Sequence, residues 1–251
     1  MSKIIFIGSG NVATQLGLAL KSRHAVLQVC SPNNASRLAK KLSAKAIPDL
    51  KNISPDADIY IVAVKDDAIA DVVKKMPKLN NKLVIHTSGA TDIAVLKKKF
   101  KNCGVIWQVQ TIRVRTKIDF RKVPLVIEAS NASSLKEMKK LCSNLSPLIY
   151  VLNSAQRRVL HLGAVWVNNF PNHLYHLAEL LLKKHKMPYK IFAPLILSTA
   201  ASGIQNPKEA QTGPAKRNDT KTMAAHLKLI SGDKTMQKIY KLISDSIYRS
   251  K

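Results

Sequence analysis

The sequence predicts an α/β protein in two parts: a doubly wound, mainly parallel sheet over residues 1–152, then an all-helical region over 153–251. Three observations carry this. Six short, nearly unbroken apolar runs of strand length recur through the first 150 residues, as strands covered on both faces require. Helix-forming stretches with polar starts separate most of them, and alternating β and α elements imply parallel strands joined by crossovers. From about Ser154 the strand punctuation stops and apolar residues keep to helical spacing.

In order, the strand runs are Ile4–Ile7, Ala25–Val29, Ile59–Val64, Leu83–Ile85, Val105–Val109 and Leu125–Ile127. The helical stretches are Asn11–Ser22, Asn34–Leu42, Asp67–Lys75, Asp92–Phe100 and Ser133–Asn144, several behind Asp, Asn or Ser caps. Residues 154–186 read as one long helix bent near Pro171. It is apolar around much of its circumference, so it needs cover from its own domain, from the sheet or from a second subunit. Further helices are expected over Tyr189–Gln205, Thr220–Leu229 and Thr235–Tyr248, with Asn206–Asp219 as a loop.

The 251 residues are 46% hydrophobic and 22% charged, the balance of a globular chain. At this length roughly 70–75% of the unfolded surface can be buried without a metal or disulfide staple. No apolar run approaches the ~20 residues of a membrane helix, and only four apolar residues separate Lys3 from Gly8, too few for an export signal. Cys30, Cys103 and Cys142 are odd in number and widely spaced. That argues against a disulfide framework or a zinc site, so a reducing cytoplasm and no metal are expected.

Lys and Arg total 41 against 15 Asp and Glu, a net charge of +26. The excess is spread: residues 1–150 hold 25 basic and 10 acidic side chains, residues 151–251 hold 16 and 5. Spread lysines read as solvated helix faces, and no zinc-finger spacing or aromatic RNA-binding signature accompanies them. Nucleic-acid binding is therefore expected to be nonspecific at most.

Directly after the first strand, Gly8-Ser9-Gly10-Asn11-Val12-Ala13 opens the first helix. In a Gly-x-Gly-x-x-Ala turn at this junction, Gly8 permits the tight bend and Gly10 lets the backbone approach a pyrophosphate. Ala13 packs the helix closely on the strand, and the helix amino terminus offers free N–H groups to the anion. The second strand then ends in Cys30-Ser31-Pro32-Asn33, with no carboxylate before Asp49. NAD-preferring sites place an acidic residue there. Ser31, Asn33, Ser36, Arg37 and Lys40 stand here instead, and Arg37 has the planar fork that suits a 2′-phosphate, so NADP is favoured. The alternative is that Arg37 and Lys40 are surface charges of the next helix.

Two further strand ends, Val64-Lys65-Asp66-Asp67 and His86-Thr87-Ser88-Gly89-Ala90, are placed to line the ribose and nicotinamide. Asp66 or Asp67 also suits a helix cap, and Ser88 a turn. His86 can orient substrate or carry a proton, or be a buried structural histidine.

These segments, with His161…Asn169-Phe170…Leu174 and Gln211-Thr212-Gly213-Pro214-Ala215-Lys216-Arg217-Asn218-Asp219…His226-Leu227, resemble the Rossmann-like NADP oxidoreductases that carry a carboxyl-terminal helical domain of unknown function (DUF2520). That family is similar in build to pyrroline-5-carboxylate reductase, the deazaflavin-dependent NADP reductase and 6-phosphogluconate dehydrogenase. The resemblance implies an NADP-binding domain, a helical dimerisation domain giving a homodimer, and a substrate cleft between the two. It brings no substrate. One stretch departs from the family: where His or Tyr and then Pro-Leu-Gln-Thr-Phe is expected, the chain has Trp107-Gln108-Val109-Gln110-Thr111-Ile112, followed by Arg113-Val114-Arg115.

Hydride transfer to a small carbonyl or imine compound needs an electrophile held in line and a proton donor beside its heteroatom. His161 and Asn169, eight residues apart on the long helix, point within about 80° of one another on ideal geometry. They are the candidates for a shared wall, with Asn168 and His173 on adjoining faces. Arg217 is placed to bind a carboxylate or phosphate, or to pair with Asp219, which also suits a helix cap. A non-catalytic dinucleotide-binding or sensing protein is the alternative to the enzyme.

Overall fold

The computed structural model describes residues 1–113 and 118–250; Val114 and Arg115 of the basic departure lie outside them. Contacts divide the chain into Met1–Trp166 and Val167–Lys251.

The first unit alternates strand and helix as expected. It runs β1 (Lys3–Ile7), α1 (Asn11–Leu20), β2 (Ala25–Cys30), α2 (Ala35–Leu42), β3 (Lys45–Ile47), β4 (Ile59–Val62), α3 (Ile69–Lys75), β5 (Leu83–His86), α4 (Ala94–Lys97), β6 (Cys103–Gln108), β7 (Leu125–Ala129), α5 (Ala132–Ser143), β8 (Ile149–Val151) and α6 (Ser154–Ala164). The strands form one sheet in the order β3-β2-β1-β4-β5-β6-β7-β8. All neighbours are parallel except β6 and β7. The order reverses between β1 and β4, the switch point beyond which ligands bind in open α/β sheets.

Apolar residues point to both faces of the strands because both faces are covered. Ile4, Phe6 and Ile61 pack with Leu16 of α1, Leu38 of α2 and Met138 of α5 on one side. Ile5, Tyr60, Val62 and Val84 pack with Ile69 and Val73 of α3 and Leu96 of α4 on the other. The three-residue strands β3 and β8 were not expected from the sequence, being too short to display a period. The helix expected over Asp92–Phe100 shrinks to Ala94–Lys97, while Lys99 Nζ turns back to the carbonyls of Val73, Lys74 and Met76 at the end of α3.

The expected long helix is α6, a π-helical turn over Val165–Asn169, and α7 (Phe170–Lys184). Pro171 has no N–H and its ring crowds the carbonyl four residues earlier, which a widened turn relieves. The second unit continues with α8 (Ala193–Gln205), α9 (Pro214–Arg217), α10 (Thr220–Leu229) and α11 (Lys234–Arg249). The presumed loop Asn206–Asp219 therefore contains a helical turn. Asp219 and Asp233 cap α10 and α11 through the main-chain N–H groups of Thr222 and Met236. No helix among the described residues is long and apolar enough to cross a membrane, and no cluster of His, Cys, Asp or Glu suited to a metal is found there.

Candidate functional site

The turn after β1 sits at the switch point. Gly8 adopts φ +109°, and a Cβ there would collide with the carbonyl oxygen of Ala63 and crowd Val64 at the end of β4. Its N–H donates to Cys30 O at 2.8 Å, binding the turn to the end of β2. Gly10 caps α1 without any side-chain hydrogen bond, no acidic residue stands in the first turn, and a Cβ on Gly10 would meet nothing within 4 Å. Among the described residues nothing meets a Cβ on Gly10 and no side chain caps the first N–H groups of α1, as an anion seat requires. Ala13 is fully buried, and Val12 packs against the same core.

Ser9, Ser31 and Asn33 meet at the adjoining end of β2. Ser31 Oγ donates to the Asn33 carbonyl at 2.6 Å, and Ser9 Oγ lies 3.0 Å from both Ser31 Oγ and that carbonyl. Beside them a cavity of about 140 Å³ is lined by Ser9, Thr14, Asn34, Arg37, Leu38 and Lys41. Lys41, one helical turn after Arg37, takes the place expected for Lys40. The side chains of Asn11 and Gln15 hold the chain after β6, donating to the carbonyls of Ile112 at 3.2 Å and Arg113 at 3.1 Å.

Beyond β4, Val64 is half-buried while Lys65 and Asp66 are exposed. Asp66 and Asp67 stand in the first turn of a short 3-10 helix that leads into α3, and no side-chain cap is made there. Beyond β5, Thr87 and Ser88 are buried. Ser88 Oγ accepts from the N–H groups of Ala90 and Thr91, so its hydroxyl secures the turn.

For His86 the sequence left two readings open, and the structure describes a buried residue. It is wholly buried, its Nδ1 accepts from the Ser88 N–H at 3.2 Å, and Nε2 has no hydrogen-bond partner among the described residues. Burial, then the Arg157 charge, pushes its pKa down to about 3. The ring is therefore neutral, and its bond to the Ser88 N–H helps to hold the turn.

The organiser of this end is Arg157 of α6, which the sequence reading missed. Its guanidinium is completely buried. Nη1 donates to the carbonyls of Ser88, Gly89 and Thr91 at 3.1, 3.0 and 2.7 Å. Nη2 donates to Glu128 Oε2 at 2.7 Å and to Ser154 Oγ at 3.0 Å. One turn later on α6, His161 lies against Trp107 with ring centroids 5.5 Å apart and planes tilted by 46°. Gly89 makes this approach possible, because a Cβ there would sit 2.6 Å from both His161 Cδ2 and Trp107 Cε2.

Asn169 and Arg217 belong to the second unit. Asn169 closes the π-helical turn, and its side-chain oxygen accepts from Asn168. That turn breaks the 100° per residue phase on which the alignment of His161 with Asn169 rested. Arg217 ends α9 and is exposed. The Asp219 carboxyl is held below its usual range chiefly by Thr222, with the Arg217 charge a smaller contribution.

A sheet that reverses order at a glycine turn, with a helix amino terminus there that no described side chain caps, defines a dinucleotide-binding α/β protein. Comparison with known proteins takes this further. Residues 3–89 match the family described as NADP oxidoreductase, coenzyme F420-dependent, and residues 123–247 match the domain of unknown function DUF2520. A crystal structure from Bacteroides fragilis, provisionally described as an NADP oxidoreductase, is 38% identical, with 99% of this chain and 98% of that one covered and a TM-score of 0.91. The chain belongs to this family of NAD(P)-binding oxidoreductases with a DUF2520 domain.

An imine reductase from Myxococcus stipitatus in complex with NADP+ shares the fold at 16% identity, covering 98% of this chain and 92% of that one with a TM-score of 0.66. Its V8 variant, in complex with NAD+, matches at 17% identity, covering 99% and 92% with a TM-score of 0.60. A curated relative, an uncharacterized 28.5 kDa protein in the 7S RNA 5′ region of Methanothermus fervidus, is 28% identical over 148 residues. That match covers 55% of this chain, and the chain spans 55% of that relative's length.

Proposed function

We propose that the chain is an NADP-dependent oxidoreductase acting on a small carbonyl or imine compound. The observation that carries this is the Gly8–Ala13 turn at the β1/β4 switch point, shaped for a diphosphate by a glycine at φ +109° and a second glycine with open space above it. When bound, the nicotinamide supplies or accepts the hydride. The chain's own residues bind and orient: main-chain amides of α1 take the diphosphate, and Arg37 with Lys41 takes the 2′-phosphate beside Ser9. His161 is the candidate to hold a proton near the substrate heteroatom. NADP is preferred to NAD on this reading because the end of β2 offers cations and hydroxyls and no carboxylate.

The active form is a homodimer through the helical unit. α8 is strongly apolar yet has no buried residue, with Leu195 61%, Leu197 71% and Ile204 85% exposed in a single chain. Surfaces of this kind mark interaction sites.

Incubation with NADPH and a panel of imines and keto acids tests the function, with NADPH consumption as the expected result. Demonstrated NADPH binding with no turnover across the panel would favour the second reading, a dinucleotide sensor, which the departure at Trp107–Ile112 supports.

A further inference from the structure

We infer that Trp107 is the specificity-determining residue of the substrate end, offering its indole to a substrate that carries a flat, conjugated ring beside its reducible C=N or C=O bond. This rests on the oxidoreductase reading above. Trp107 is the penultimate residue of β6, two residues beyond the last β5–β6 register pair, His86 with Val105. It therefore lies at the carboxyl edge where ligands of open α/β sheets bind. The phosphate turn follows β1, three strands away, or about 14 Å along the crevice at the usual interstrand spacing.

The indole is fixed by its neighbours and only partly buried. It packs beside Gly89 and His161, with the 5.5 Å ring separation of a favourable aromatic pair. The turn carrying Gly89 is itself clamped by three hydrogen bonds from buried Arg157. Trp107 nevertheless retains solvent exposure. The carboxylates held by this part of α6 are spent, Glu128 on Arg157 and Asp92 on Arg158. The surface presented is thus a preorganised aromatic wall, which rewards stacking of a second π-system more than contact with a saturated ring.

The test uses two cyclic imines, 3,4-dihydroisoquinoline with a fused aryl ring and 1-pyrroline without one. Their dissociation constants are measured on the NADP+-loaded full chain and on W107F and W107A. The wild type is expected to prefer the aryl imine about tenfold, W107F to keep most of that preference, and W107A to lose it. NADP+ affinity should stay within about twofold throughout. A wild type that binds both imines equally, or a W107A that keeps the preference, overturns the assignment while leaving the oxidoreductase reading intact. Failure of the wild type to bind NADP+ overturns that reading and this inference with it.

Discussion

Arg157 of α6 and Glu128 of β7 meet at 2.7 Å with the guanidinium fully buried, and the same guanidinium binds three carbonyls of the turn after β5. Removing one member of a buried pair leaves the other charge uncompensated, at a cost of about 3–5 kcal/mol. Chemical denaturation of R157A is expected to show a loss of this size. R157K, which keeps the charge but not the planar fork, should lose less. A loss under about 1 kcal/mol in R157A would show that the clamp does not hold the turn.

His86 gives a pH dependence with a definite sign. Its folded pKa is about 3 against a reference value of 6.5. The unfolded chain therefore takes up a proton that the native chain refuses as pH falls below about 6.5. Stability should decline with falling pH by about 1.4 kcal/mol per unit from this group alone, down to about pH 3. H86N retains an acceptor for the Ser88 N–H without titrating. The difference in stability between wild type and H86N should shrink at that slope, and a difference constant from pH 7 to pH 4 would contradict the placement.

Arg37 and Lys41 stand one helical turn apart beside Ser9. R37A is expected to weaken NADPH binding about 10–100-fold, the range for a charge-assisted phosphate contact, while NADH affinity changes less than twofold. Calorimetric titration with both nucleotides decides it, and equal losses for both would refute the 2′-phosphate role.

The exposed apolar face of α8 gives a prediction of assembly. The wild type should scatter light as a dimer, and the double variant L195E/L197E as a monomer at the same concentration. A monomeric wild type would remove the proposed interface.

Much of the fold was legible because its strands are apolar on both faces, and only a buried parallel sheet needs that. β3 and β8 escaped because three residues display no period. Pro171 was visible as an interruption of the long helix, but not the widening over Val165–Asn169 that shifts every later side chain around the axis. The glycine turn between β1 and α1 was legible as a turn, since Gly8 at φ +109° acts locally. Arg157 was not: among 41 basic residues, and beside Arg158, it reads as surface. The available signal was Glu128, a carboxylate closing the apolar run of β7 that needed a partner. Trp107 was visible as a departure, while its seating against Gly89 and His161 depends on contacts across the fold.

The most direct measurement is a calorimetric titration of NADPH into the wild type and G10D. Gly10 has an ordinary φ of −74° and free space where a side chain would go, and aspartate is a favourable helix cap. G10D should therefore fold with unchanged or raised thermal stability, yet fill the diphosphate seat with a like charge. Saturable binding by the wild type and none by G10D is the expected result; a silent wild type, or a G10D that binds as well, would contradict a dinucleotide site at this turn.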